Sequence, residues 1–170
     1  MTLIVCGLAE VPTLIARHRP SHLVTLLDPA TMIATPQGLT TDRHLKLGVN
    51  DIAEPTQGMI PPDENAVLKL LAFGRTWDET APMLIHCWAG ISRSTASAFT
   101  LACERSPDVD EVTIARAMRS LAPHASPNRR IVAIADDMLG RRGRMVDALA
   151  AMGESDWERA GPFAFKARHG

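Results

Sequence analysis

Short apolar runs along the first half of the chain predict buried β-strands. The runs cover residues 3–6, 23–27, 45–49 and 83–85, and Gly, Pro, Asp or Asn lies next to each of them. A helical pattern fills residues 11–19 between the first two runs, with Pro12 placed where a first helical turn tolerates it. A strand, a helix and a strand at this spacing predict a parallel βαβ unit.

Helical patterns dominate the rest of the chain. Apolar residues recur at helical spacing in residues 61–77, 92–104, 106–121, 131–139 and 145–152. The segments 106–108 and 126–128 each begin with Ser-Pro and are predicted helix starts. The expected buried side of the first of these helices is Val67, Leu68, Leu70, Leu71 and Trp77. Residues 30–42, rich in Thr, are expected to form a loop or a weak extra strand.

These elements predict an α/β domain. Its mostly parallel central sheet should have about four to five strands, with helices on both faces in a three-layer arrangement. A chain of 170 residues with 46% hydrophobic and 22% charged residues suits one globular domain. We expect residues 1–153 to form that domain. Residues 154–170 have no sustained period, so this tail should pack on the domain or fray.

Charge and cysteine content narrow the possible functions. The net charge of −1 gives no overall basic field, so a nucleic-acid partner is not expected. The arginines between Arg116 and Arg144 are interpreted as a solvated surface offset by Asp136 and Asp137, although a locally basic face is the alternative. The chain has three widely spaced cysteines, which predict a reducing compartment without disulfides.

No targeting or membrane segment is recognisable. The N-terminal apolar run lacks a basic region before it and is too short for a signal peptide, and no run is long enough to span a bilayer. We therefore expect a cytoplasmic protein without a membrane partner. The oligomeric state stays open.

The stretch MLIHCWAGISRSTASAFT at residues 83–100 contains the strongest chemical signal. A strand before His86 and a helix from Ser92 make residues 87–93 a strand-to-helix turn, where backbone N–H groups and the helix dipole favour an anion. These neighbours favour the thiolate of Cys87, and the planar guanidinium of Arg93 matches two phosphoryl oxygens. Gly90 permits a backbone conformation that a side chain would obstruct.

Other interpretations of the same residues exist. A lone Cys is commonly a small buried hydrophobic residue, and a lone Arg is commonly a surface charge. A zinc site built from His86 and Cys87 is disfavoured because adjacent ligands point apart and no second pair lies at metal spacing. No metal or cofactor is expected.

The segment HCWAGISRS at residues 86–94 resembles the His-Cys-x2-Gly-x2-Arg-Ser/Thr signature of cysteine-dependent protein tyrosine phosphatases. The small size of the chain is more similar to their dual-specificity branch. The resemblance implies a protein tyrosine phosphatase-like fold and a phosphocysteine intermediate. It assigns the nucleophile to Cys87, phosphate binding to Arg93, the leaving-thiolate hydroxyl to Ser94 and loop support to His86. The backbone of the loop would bind phosphate through Trp88, Ala89, Gly90, Ile91 and Ser92.

The resemblance also implies an Asp general acid on an upstream loop. Asp51 follows the strand at residues 45–49 and matches this strand-then-Asp pattern, although it could instead form a turn with Asn50. Asp63, Glu54 and His124 remain alternatives. Asp42 precedes the strand and should lie at the opposite end of the sheet.

Asn128 resembles a late-loop residue that positions the hydrolytic water in dual-specificity members. It could equally be an ordinary polar residue of a helix first turn.

The predicted function is hydrolysis of phosphate monoesters. The loop interior contains no Lys or His, which favours a phosphorylated protein or a small aryl phosphate over a highly phosphorylated substrate. With no Tyr in the chain, an aromatic wall must come from Trp88, Trp77 or a Phe. The choice between phosphotyrosine and phosphoserine stays open. Alternative functions are a rhodanese-like sulfurtransferase and a non-catalytic phosphoprotein-binding module.

Overall fold

The computed structural model describes residues 1–170 and contains one five-stranded sheet. Its strands are β1 (Thr2–Cys6), β2 (His22–Leu27), β3 (His44–Gly48), β4 (Met83–His86) and β5 (Phe163–Lys166). The strand order is β3-β2-β4-β1-β5, with the first four parallel and β5 antiparallel to β1. The mostly parallel sheet predicted from the sequence is confirmed.

Six helices flank the sheet. They are α1 (Val11–His18), α2 (Glu64–Thr76), α3 (Arg93–Arg105), α4 (Glu111–Leu121), α5 (Arg129–Met138) and α6 (Arg144–Ala151). Of these, α5 and α6 pack on other helices. The side chains of β1 alternate between the two faces, as strand geometry requires. Ile4 and Cys6 pack with Val11 and Leu14 of α1, whereas Leu3 and Val5 belong to the larger core shared with the other helices. The sheet is therefore the middle of three layers.

The βαβ prediction for β1, α1 and β2 needs one correction. The two strands are parallel, but β4 lies between them, and Ile85 is paired with Val5 on one side and Val24 on the other. Because the four parallel strands end at one edge of the sheet, the segments that follow β2, β3 and β4 meet there. The candidate site lies at this edge.

Two predicted helix details are wrong. Leu68 is exposed, since the buried stripe of α2 runs through Val67, Leu70 and Leu71, and Leu68 lies off that stripe. Helix α4 begins at Glu111 rather than near Ser106, because Asp110 accepts a hydrogen bond from the N–H of Val112 and caps the helix. Residues 106–108 instead follow the end of α3. Residues 30–42 form no strand and contain only short 3-10 turns.

The arginines of the C-terminal half are not simply a solvated face. Arg141 is buried and donates to Glu111 at 3.0 Å, and Arg144 contacts the same carboxylate at 3.0 Å. Asp136 is also buried and accepts hydrogen bonds from the N–H groups of Gly143 and Met145. Burial favours such pairing because an unpaired charge there would be costly.

The tail contributes strand β5, which its weak pattern did not predict. Phe165 and Phe163 lie beside Leu3 and Val5 of β1, and both phenylalanines are buried. Four residues are too few for a clear alternating pattern, so the strand depends on the partner that β1 provides. None of the helices combines the length and apolar character needed to cross a bilayer.

Candidate active site

Residues 87–92 form the loop between β4 and α3. Carbonyl groups of this loop point away from its centre, toward the surrounding segments. They accept three hydrogen bonds from surrounding segments: Leu8 N–H to Trp88 O (3.0 Å), Ser126 N–H to Ile91 O (2.9 Å) and Asn128 N–H to Ser92 O (3.2 Å). The N–H groups of residues 88–92 make no backbone hydrogen bond. Together with the N-terminus of α3, these free amides form an anion-binding concavity.

Gly90 permits the loop to pack against the end of β1. Its φ is +74°, and a Cβ there would lie 2.6 Å from the carbonyl carbon of Cys6 and 2.7 Å from the nitrogen of Gly7. Both the positive φ and the backbone contact exclude a side chain. The conformational role predicted for Gly90 is confirmed.

Cys87 lies at the base of the loop and is buried. Its Sγ is 3.2 Å from Oγ of Ser94 on α3. A thiolate at Cys87 would accept the proton of this hydroxyl group, and such a bond stabilises sulfur when it is a leaving group. The predicted closeness of Ser94 to the sulfur is therefore present in the structure.

Arg93 is buried and oriented by two acceptors. Its Nη1 donates to Oδ1 of Asp28 at 2.9 Å and to the carbonyl of Val49 at 2.7 Å. Nε is buried without a hydrogen-bond partner. The Nε and Nη2 edge of the guanidinium thus remains as a two-pronged donor for an anion.

Sequence reasoning missed Asp28. It immediately follows β2, just as Cys87 immediately follows β4, and these two parallel strands are neighbours. An acid at the carboxyl end of a predicted parallel strand was the available signal. Asp28 could be assigned to the site only if β2 was known to lie beside β4, and the sequence left the strand order open.

His86 begins a buried chain of hydrogen bonds that we call the histidine–threonine chain. Nδ1 of His86 lies 3.2 Å from the carbonyl of Cys87, and its Nε2 lies 2.7 Å from Oγ1 of Thr25. The same Oγ1 lies 2.8 Å from Nε2 of His44, whose Nδ1 lies 3.0 Å from Oγ1 of Thr35.

One proton arrangement satisfies the whole chain. A carbonyl can only accept, so Nδ1 of His86 carries the proton and its Nε2 accepts from Thr25. Thr25 then accepts from Nε2–H of His44, and Thr35 donates to Nδ1 of His44. Burial lowers the pKa of both His86 and His44 to about 4, so both rings are neutral at pH 7. Thr25, Thr35 and His44 carried no sequence signal for this arrangement.

Asp51 lies at the edge of the loop. Its Oδ1 accepts hydrogen bonds from Oγ of Ser92 at 2.7 Å and from Nδ2 of Asn128 at 2.9 Å. Its Oδ2 makes no hydrogen bond. The preceding residue, Asn50, exchanges hydrogen bonds with Ile60 instead, each 2.7 Å long, through its side-chain oxygen and its backbone N–H. Asn50 therefore closes the loop of residues 50–60, and Asp51 is left at the cleft.

Asn128 is a polar residue at the start of a helix, as one interpretation of the sequence had it, and it also contacts Asp51. Its side-chain oxygen accepts from the N–H groups of Arg130 and Ile131 at 3.1 Å each, which caps α5. Its amide nitrogen donates to Asp51 and to the carbonyl of Ile52 at 3.3 Å. Asn128 thus orients Asp51, and its predicted role toward water stays a prediction.

The alternative acids lie elsewhere. Asp63 caps α2 by accepting from the N–H of Ala66 at 2.8 Å, and Glu54 lines a separate cavity with Asp63. His124 is buried against Phe163, with ring centroids 5.7 Å apart. Of the candidates, only Asp51 lines the cleft that contains Cys87.

That cleft has a volume of about 840 Å³. Cys87, Arg93 and Asp51 line it together with Trp88. Trp157, from the tail, also lines it and was not predicted to do so. Trp77 is buried beneath Arg105, so it provides no wall to the cleft.

A family comparison agrees with this geometry. The model of the protein-tyrosine phosphatase family matches residues 52–128, which include Cys87, Arg93 and Asn128. Over these residues the chain is similar to the protein-tyrosine phosphatase family. This similarity favours a phosphatase over the sulfurtransferase alternative. Asp51 lies one residue before the matched segment, so the match does not assign the acid.

Solved structures share the fold of this tyrosine phosphatase-like chain at low sequence identity. The crystal structure of DUSP15 is 17% identical in sequence and has a TM-score of 0.64. The alignment covers 92% of this chain and 91% of the DUSP15 chain. The crystal structure of PTPMT1 in complex with PI(5)P is 12% identical in sequence and has a TM-score of 0.60. That alignment covers 81% of this chain and 87% of the PTPMT1 chain. A mouse putative dual specificity phosphatase complexed with zinc tungstate is 17% identical, with a TM-score of 0.53 and coverages of 82% and 80%. No curated protein sequence matches the chain. These neighbours support a dual-specificity-like fold.

Proposed function

We propose that this chain hydrolyses phosphate monoesters through a phosphocysteine intermediate on Cys87. The observation that carries the proposal is the free Nε and Nη2 edge of Arg93, placed beside a buried thiol and a ring of unpaired loop amides. Two sets of donors around one sulfur suit a phosphoryl group, whose charge spreads over three oxygens.

The first step transfers the phosphoryl group to sulfur. Sγ of Cys87 attacks phosphorus, the ester P–O bond breaks, and the leaving oxygen takes a proton from Asp51. The two hydrogen bonds to Asp51 both reach Oδ1, so Oδ2 can hold that proton. Arg93 and the loop amides stabilise the charge on the transferring group.

The second step releases phosphate. Water attacks phosphorus while Asp51, now a carboxylate, accepts a proton from it, and the S–P bond breaks. The electron pair returns to Cys87, where the hydroxyl of Ser94 stabilises the thiolate. The products are the free alcohol or phenol and inorganic phosphate.

The substrate class that we propose is a phosphorylated protein or a small aryl phosphate. The loop of residues 87–92 has no cationic side chain and is followed by Arg93, which suits a single phosphoryl group more than a cluster of them. The dual-specificity-like fold supports the same class.

Alkylation of the three cysteines tests the proposal. Burial raises the pKa of Cys6 to about 12 and also raises the pKa of Cys103, so neither should react with iodoacetate near neutral pH. We expect iodoacetate to modify Cys87 first, and vanadate or phosphate to protect it. Cys87→Ser should abolish turnover of an aryl phosphate. Steady turnover by Cys87→Ser, or labelling that vanadate leaves unchanged, would refute the phosphocysteine mechanism.

A further inference from the structure

Two of the three tryptophans are largely exposed, and both line the candidate cleft. Trp88 is 61% exposed and Trp157 is 63% exposed, whereas Trp77 is buried. Met59, another exposed apolar side chain, lines the same cleft. Large apolar side chains grouped around a cleft, rather than scattered over the surface, indicate a binding site for an apolar group.

The two ends of the cleft differ in depth and chemistry. Cys87 and Arg93 are 2% and 4% exposed, so the phosphoryl group would lie at the base. The exposed tryptophans would then contact the organic group that is esterified to this phosphate. Indole rings bind flat aromatic groups through stacking or edge-to-face contacts, in addition to the area they bury.

The tail that carries Trp157 is attached to the structure around the loop. The N–H of Asp156 donates to the carbonyl of Pro123 at 2.9 Å. Arg119 donates to the carbonyl of Met152 at 3.1 Å and also to Pro123. Three residues after Pro123, Ser126 donates to the carbonyl of Ile91 in the loop. Trp157 is therefore held at a defined place relative to Cys87.

We propose that Trp157 and Trp88 form an aryl-binding subsite, and that Trp157 is a specificity-determining residue for aromatic phosphate esters. This inference rests on the proposed phosphatase function. The tail would then form part of the substrate site, where it supplies an aromatic wall in a chain without tyrosine.

Protection of Cys87 from iodoacetate tests the subsite without requiring turnover. Three protecting anions are compared, namely inorganic phosphate, methylphosphonate and benzylphosphonate. In the wild-type protein, benzylphosphonate should protect at a lower concentration than methylphosphonate. Trp157→Ala should weaken protection by benzylphosphonate about 3- to 10-fold, the range expected for one lost aromatic contact, and leave the other two anions unchanged.

Two further variants complete the design. Trp157→Phe keeps an aromatic face and should retain most of the preference for benzylphosphonate. Leu68→Ala removes an exposed apolar side chain of α2 outside the cleft and should change nothing.

The outcomes separate this inference from the proposed function. Equal weakening of all three anions in Trp157→Ala, or no weakening of any, would overturn the aryl subsite while phosphate protection still supports the phosphoryl site. A wild-type protein in which benzylphosphonate protects no better than methylphosphonate would also overturn it. If no anion protects Cys87, both proposals fall.

Discussion

The two oxygens of Asp51 have different surroundings. Oδ1 accepts from Ser92 and Asn128, while Oδ2 has no hydrogen-bond partner. Two donors on one oxygen fix the orientation of the carboxyl group and leave the other oxygen to carry or release a proton. The geometry thus supports Asp51 as the proposed general acid.

Asp51→Asn should slow alkyl phosphates far more than aryl phosphates with acidic phenols. Protonation matters most when the leaving oxygen is strongly basic, and a general acid typically contributes about 100-fold or more to the rate. We expect a loss of that order in kcat/KM for phosphoserine peptides. The loss should be much smaller for p-nitrophenyl phosphate. The ratio of the two values is the measurement.

Two carboxylates in the neighbouring cavity provide matched controls. Asp63→Asn and Glu54→Gln make the same chemical change outside the cleft and should leave the ratio at its wild-type value. Asp63→Asn also changes the cap of α2, so its stability should be measured in parallel. An Asp51→Asn variant that loses the same factor with every leaving group would show that the acid is another residue.

The histidine–threonine chain links three parallel strands by side-chain hydrogen bonds and ends at the carbonyl of Cys87. Thr25 of β2 is its centre, because its hydroxyl contacts both His44 of β3 and His86 of β4. Thr25→Val keeps the shape but leaves two buried ring nitrogens without a partner. Each unsatisfied buried group costs about 1–3 kcal/mol, so unfolding free energy from urea denaturation should fall by that order. Turnover should also fall because His86 loses its orientation.

Thr100→Val is the matched control for this variant. Thr100 of α3 is buried and its hydroxyl has no hydrogen-bond partner, so the same substitution removes no bond there. Its stability should stay unchanged or rise slightly. If both variants have the same stability and the same turnover, the histidine–threonine chain does not support the active-site loop.

The sequence predicted the residues of the contiguous loop better than the residues whose place in the site depends on strand order. Cys87, Arg93 and Ser94 lie within one turn, so their chemistry could be inferred from local spacing. Asp28 and Thr25 become part of the site only because β2 lies beside β4. The βαβ pattern gave the direction of the strands, but it did not reveal that β4 separates β1 from β2. Pairings between distant segments leave little trace in a single sequence.

At the scale of the whole molecule, the tail is part of the same body as the domain. β5 hydrogen-bonds to β1, and Phe165 is buried in the main core. Residues near Trp157 contact the segment that supports the active-site loop. Residues 154–170 are therefore packed on residues 1–153, and the two parts form one packed unit.

The buried histidines should make the stability of this unit depend on pH. In the folded protein burial lowers the pKa of His44 and His86 from 6.5 to about 4. Between these values the unfolded chain binds protons that the folded chain excludes. Stability is therefore complete above about pH 6.5 and falls as the pH falls toward 4. Each histidine contributes on the order of 3 kcal/mol. Burial also lowers the pKa of His22, His124 and His169, which adds to the same trend.

Urea denaturation at several pH values between 4.5 and 6 measures this dependence. His44→Asn removes one of the excluded protons, so the slope of unfolding free energy against pH should decrease by about 1.4 kcal/mol per pH unit. His18→Asn, on the exposed side of α1, is the comparison variant, and the decrease in slope should be larger for His44→Asn. Both variants retain the buried carboxylate of Glu111, so this group affects both slopes equally. A wild-type stability that stays constant over this range would show that His44 and His86 are protonated without opening the core.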